Sequence, residues 1–173
     1  MKDSPHHIHP LFPTPVFVQP NLSIPDSVMQ TVVDLEYRIK ATEKGYISKE
    51  SQLLDRDEMQ PLKATLTSLL ETNCYETLCI DRKHGFRFVT SWAIDSPPGD
   101  FSFVHHHDNS MISGVVYLQV LPDSGNIVFH LDELDSRLFT STYRPGLVDL
   151  NDYNAQTVEI PSVENSCIIF PST

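Results

Sequence analysis

The chain has 173 residues, 40% of them hydrophobic and 9% aromatic, with 12 basic residues against 23 acidic ones and a net charge of −11. That length and apolar content support one globular domain with a sizeable core, not a disordered chain. The acidic balance argues against a nucleic-acid backbone or an anionic membrane as partner, and its plainest role is a solvated surface. Cys74, Cys79 and Cys167 are odd in number and lack zinc-site spacing, which points to free thiols in a reducing compartment. No apolar run approaches the ~18 residues of a membrane span. The opening "MKDSPHHIHP" has no hydrophobic segment of signal-peptide type. The expectation is a soluble, cytoplasmic protein.

In chain order, Pro5, Pro10, Pro13, Pro15 and Pro20 make residues 1–20 an extended segment, within which "PVFVQ" is a candidate edge strand. His6, His7 and His9 read there as polar spacers. Residues 21–80 form a helical part. "SIPDSVMQTVVDLEYRIKATEKG" pairs Ser23 with Asp26 in the manner of a capping box, and Pro25 suits a first helical turn. Val28, Val32, Leu35 and Ile39 then make a helical stripe, with Gly45 as the stop. A second helix is predicted from near Asp57 to Asn73, with Pro61 in its first turn and Leu62, Leu66, Leu69 and Leu70 on one side. Both stripes read as core-packing faces.

Residues 81–173 change texture. "GFRFVTSWAI", "MISGVVYLQV", "GNIVFHL", "QTVEI" and "SCIIF" are short, β-branched and aromatic, and turn signals such as "LPDSGN" separate them. Two helices followed by consecutive strands predict an α+β, mainly β fold with an antiparallel sandwich or barrel in a single domain spanning 1–173.

Inside the strand-rich part lies "FVHHHDNSMISGVVYL". Side chains at i and i+2 of a strand share a face, so the cluster offers two exclusive pairs, His105 with His107 or His106 with Asp108. Two such ligands at a strand end suit iron, zinc, copper or nickel, and two histidines plus a carboxylate form the facial set of non-haem Fe(II) oxygenases. The bland alternative is a histidine-rich loop that binds nothing, because patterns this short are weak on their own.

The pieces "LFPTPVF", "SWAI", "GDFSFVHHHDNSMISGVVYLQV", "SGNIVF" and "IIFPS" occur in an order that resembles the small 2-oxoglutarate/Fe(II)-dependent oxygenases of phages and bacteria. In that family a histidine pair precedes a serine that opens a strand. Counted back from Ser113, Gly114 and Val115, the matching pair is His105 and His107. Asp108 stands where the family usually has proline, which keeps the His106/Asp108 register open. Leu53 to Lys83 matches no family segment.

The resemblance implies a double-stranded β-helix, or jelly roll, with the N-terminal helices packed outside. It implies Fe(II) as cofactor and 2-oxoglutarate as cosubstrate, which is decarboxylated oxidatively to succinate and carbon dioxide while a substrate is oxidised. Tyr117 is then a candidate partner for a cosubstrate carboxylate, or else a barrel-lining residue, and Ser172 is a second candidate. The family's third iron ligand, a histidine, and an arginine for the distal carboxylate are expected beyond Thr173, and the strand count comes out one short of a full jelly roll. A shortened chain, a substitute ligand such as His130, or an inactive relative would each account for this.

Trp92 and Phe101 read as barrel packing, with a role at the substrate mouth as the alternative. Arg87 and Arg144 are the arginines to consider for anion binding, Arg144 within a turn. Ser102 receives no role, and Glu164, Asp149 and Asp152 make no carboxylate pair for hydrolysis. The rival functional class is a non-catalytic, cupin-like metal- or ligand-binding jelly roll, and beyond it a purely structural domain. The substrate is a small molecule or peptide that fold alone does not name, and an unpaired strand edge would allow a homodimer.

Overall fold

The computed structural model describes residues 7–40, 44–131 and 145–172. Contacts divide the chain into two compact units, one made of Met1–Pro15 with Asn126–Pro161 and the other of Val16–Gly125 with Ser162–Thr173. The described chain is β-rich with two α-helices, in the class the sequence predicts.

The larger unit is organised around strand β8 (Ser166–Pro171), which lies between β1 (Phe17–Gln19) and β5 (Ile112–Tyr117), antiparallel to both. The predicted edge strand "PVFVQ" is β1. Register pairs Gly114 with Ile169 and Val116 with Cys167, so alternation divides the sheet's side chains between two faces. Ile112, Val116, Cys167, Ile169 and Phe17 pack with Leu66 and Leu69 of helix α2 (Gln60–Glu71). Ser113, Val115, Tyr117, Ile168 and Phe170 take the other face. Gly114 lies where the strands approach, and a Cβ there would be a tight 3.3 Å from the Ile168 carbonyl oxygen.

Helix α1 (Asp26–Val33) is shorter than the sequence stripe predicts. Pro25 occupies its N-cap position with extended backbone and no side-chain cap, so the capping box expected from Ser23 and Asp26 does not form. The chain turns after Asp34 into β2 (Tyr37–Ile39), which pairs with β3 (Tyr46–Ser48), and β3 pairs with β4 (Ile94–Asp95). The Tyr37 hydroxyl donates to the Val32 carbonyl at 2.9 Å, satisfying a carbonyl of the helix's last turn. Val32, Leu35 and Tyr37 still pack against the core of Val28, Leu53, Leu54, Met59 and Leu62, so the apolar stripe is used although its C-terminal half is not helical.

Helix α2 matches its prediction closely. A 3-10 turn at Asp57–Met59 leads into it, Pro61 sits in its first turn, and a π-helical turn (Thr72–Thr77) extends it beyond Asn73. The stretch "GFRFVTSWAI" departs from expectation, because only Ile94 and Asp95 join a sheet. Ser91 donates its N–H to Ser51, accepts from the N–H of Leu53 and of Leu54, and leaves its segment tied to a loop instead of a strand ladder.

The smaller unit contains β6 (Ile127–His130) and β7 (Thr157–Ile160), an antiparallel pair formed by the predicted strands "GNIVFHL" and "QTVEI". Among the described residues, no helix is long and apolar enough to cross a membrane. Cys74, Cys79 and Cys167 are free thiols, and burial pushes the Cys167 thiol up to about 11.

Candidate metal centre

The histidine cluster belongs to the larger unit, in the irregular segment between β4 and β5 and not on a strand end as the sequence spacing predicts. The alternation of side chains survives there. The His105 and His107 rings lie edge to face with centroids 5.0 Å apart, whereas His106 Nε2 and Asp108 Oδ1 meet at 2.9 Å on an exposed side. The two candidate pairs are therefore segregated, each side chain next to its i+2 partner.

His105 has its ring orientation tied to the backbone. Its Nδ1 lies 2.7 Å from the Phe103 carbonyl oxygen. A carbonyl can only accept, so Nδ1 carries the proton and Nε2 keeps its lone pair. This is the arrangement that second-shell hydrogen bonds impose on metal-binding imidazoles. His107 is half-buried beside Trp92, with ring centroids 5.8 Å apart. Burial first, and then the neighbouring His105 and His106, hold its pKa below the ordinary histidine value. A neutral imidazole with a free lone pair is the form that binds a transition metal.

The backbone of His107 is anchored to the end of β8. Its N–H donates to the Ser172 carbonyl at 3.0 Å, and the Ser172 N–H donates to the Met111 carbonyl at 3.2 Å. Ser172 is only 5% exposed, and its hydroxyl lies 2.9 Å from that of Ser110 and 2.8 Å from that of Ser113. Neither Ser110 nor the Phe103 carbonyl stands out in the sequence. Ser113 is visible there only as the start of a strand.

Tyr117 is half-buried at the end of β5, on the same face as Ser113. Burial raises its phenol above the ordinary tyrosine value, and a hydrogen bond with Ser162 pulls the other way. The segment that carries the histidine pair also exposes apolar side chains. Phe101 and Phe103 stack edge to face at 5.0 Å while 55% and 54% exposed, and Val104 and Met111 are exposed as well. Phe101 is thus not the packing residue the sequence predicts. The stretch from Phe88 to Leu131 contains no lysine or arginine, and Arg87 is exposed.

The segment that leads to the cluster is held by Asp100. Its buried carboxylate pairs with the buried Lys40 Nζ at 2.9 Å and accepts from the Gly45 N–H at 2.9 Å. Burial alone would raise its pKa, but hydrogen bonds from Lys40, Ser96 and Gly45 and the Lys40 charge outweigh it and bring it down to about 2.

His130 lies exposed on β6 opposite Thr157 in the smaller unit. Arg144, and the ligand expected beyond Thr173, lie outside the described residues, as does His6. Among the described residues, no three His, Cys, Asp or Glu side chains converge on one point. Two adjacent imidazoles, one with its Nδ1 tied to a carbonyl and the other with a lowered pKa, are nevertheless ligands of the type Fe(II) takes.

Residues 90–173 match the family model described as "Putative 2OG-Fe(II) oxygenase". No curated protein and no solved structure matches the chain.

Proposed function

We propose, from the match of residues 90–173 to the 2-oxoglutarate/Fe(II) oxygenase family model, that the protein is a dioxygenase of that type, acting on a small-molecule or peptide substrate in the cytoplasm. His105 and His107 are its first two metal ligands, and a jelly roll is the architecture that goes with this reading. The observation that carries the assignment is the juxtaposition of the His105 and His107 rings, with His105 Nδ1–H committed to the Phe103 carbonyl. It leaves the His105 Nε2 uncommitted beside the His107 ring, while His106 and Asp108 engage each other.

When bound, Fe(II) supplies the redox chemistry that couples substrate oxidation to decarboxylation of 2-oxoglutarate, yielding succinate and carbon dioxide. The chain's own residues orient and shield. His105 and His107 hold the metal, and the Phe103 carbonyl keeps His105 in the binding tautomer. Tyr117 donates its phenol proton to a cosubstrate carboxylate, a role that requires the neutral phenol its burial favours. Phe101, Phe103, Val104 and Met111 offer an apolar approach that receives uncharged parts of the substrate.

An anaerobic titration with Fe(II) and 2-oxoglutarate, followed by the visible charge-transfer absorption of the chelate, tests this. The absorption is expected in the parent protein and in His106→Ala, and is lost in His105→Ala and His107→Ala. Loss in His106→Ala alone would move the site to the other register. Absorption without succinate formation under oxygen, across a panel of candidate substrates, would favour the non-catalytic metal-binding jelly roll.

A further inference from the structure

Hydroxyl groups obey a strict count, since each carries one proton to donate. Ser110 Oγ donates to the His107 carbonyl at 3.4 Å. Its contact with Ser172 Oγ is shorter, at 2.9 Å, and either hydroxyl can donate across it. Ser172 Oγ lies 2.8 Å from Ser113 Oγ, where again either can be the donor. The three hydroxyls therefore form a continuous chain that links Ser113 on β5, Ser172 at the end of β8, Ser110 and the His107 carbonyl.

The same two chain segments are joined by backbone. His107 N–H donates to the Ser172 carbonyl, and the Ser110 N–H donates to the His107 carbonyl at 3.3 Å. Both polar backbone groups of His107 are thus engaged, and Ser172 contributes to both, directly to one and through Ser110 to the other. His107 sits in an irregular segment with no sheet ladder of its own, so this network does for it what a ladder does for a strand residue.

We infer that the Ser113–Ser172–Ser110 hydroxyl chain is a positioning device that sets the place of His107 beside His105, and thereby the affinity of the histidine pair for a metal. This rests on the proposed metal site for its functional half. The hydroxyl of Ser172 contacts those of Ser110 and Ser113.

The order of the chain makes a graded prediction. Ser172→Ala and Ser110→Ala each break the hydroxyl link to His107 while keeping the backbone bonds, whereas Ser113→Ala leaves the Ser172, Ser110 and His107 contacts in place. Hydrogen exchange on the metal-free protein reads the positioning directly. The His107 amide is expected to exchange at least about tenfold faster in Ser172→Ala and Ser110→Ala, with β8 amides unchanged. Ser113→Ala should have a much smaller effect, and Ser110→Thr, which keeps a hydroxyl, should restore protection.

Co(II) titration, followed by its visible absorption, then reads the metal consequence. A loss of affinity of about tenfold is expected in Ser172→Ala and Ser110→Ala, in the range typical of removed outer-shell partners. If Ser172→Ala does not fold, Ser110→Ala against Ser110→Thr carries the test. Unchanged exchange at His107 overturns the inference, as does altered exchange with unchanged Co(II) affinity. Absence of Co(II) binding in the parent protein overturns the proposed metal site instead, and the exchange result still decides the positioning.

Discussion

His106 Nε2 and Asp108 Oδ1 meet at 2.9 Å, although the two side chains are 65% and 87% exposed. A polar contact so open to water gains little, because solvent competes for both groups and ordering two side chains costs entropy. The neighbours that alternate with them, His105 and His107, meet ring against ring. Replacing Asp108 by Asn should therefore change stability by less than about 0.5 kcal/mol. It should also leave Co(II) affinity within about twofold of the parent value, in contrast to the tenfold or greater losses expected around His107. Chemical denaturation and metal titration of Asp108→Asn together check this, and a large loss of affinity would place Asp108 among the ligands.

The hydrogen bond from His105 Nδ1 to the Phe103 carbonyl makes a prediction that needs no metal. In long-range proton–nitrogen spectra of the metal-free protein, neutral His105 should appear as the Nδ1–H tautomer. The Nε2–H form would remove the free lone pair from the metal side and count against the assignment of His105.

The Lys40–Asp100 pair is buried, so removing one partner strands the other. Asp100→Ala is expected to cost about 3 kcal/mol by urea unfolding, whereas a paired apolar replacement of both residues should cost far less. A cost near zero for Asp100→Ala would show that Lys40 reaches water without it.

Acid should act on the same carboxylate. Its pKa falls from 3.8 to about 2 on folding, so between those values the unfolded chain binds more protons and stability drops as pH falls. The contribution is fully present above the unfolded value and is lost as pH falls through about 2. Unfolding midpoints measured across that window should decline more steeply in the parent than in Asp100→Asn, which has no proton to take up there.

Gly45 lies against this pair, and a Cβ added to it would fall inside contact distance of the Asp100 carboxylate and 2.8 Å from Lys40 Cε. Gly45→Ala should destabilise by about 2 kcal/mol, as overpacking of a closed site does. Thermal unfolding beside the unrelated Gly125→Ala, where a Cβ meets nothing within 4 Å, provides the control.

Helix α2, strands β1 and β5 to β8, and the segment that carries the metal-binding candidates are all legible in the sequence. Their signals are local. Period and turn chemistry decide such elements within a few residues, and the i, i+2 relation between His105 and His107 needs no long-range information. The helix predicted through Ile39 shows where that reasoning stops, because the stripe from Val28 to Leu35 meets the core whether its end is helical or extended. Only the pairing of β2 with β3 across Gly45 decides between the two. The same holds for residues 85–91, whose strand-like composition yields to hydrogen bonds with residues 51–54 that sequence spacing cannot anticipate.

By itself, the sequence determined the β-rich class, the free-thiol chemistry and the residues able to bind a metal, because each follows from side-chain type and short spacing. Tertiary structure decided which histidines face each other, which one is paired with Asp108, and that Ser172 holds His107 in place. Those outcomes depend on contacts as far apart in sequence as the 62 positions that separate Ser110 from Ser172, and only the closed chain brings such groups within hydrogen-bonding distance.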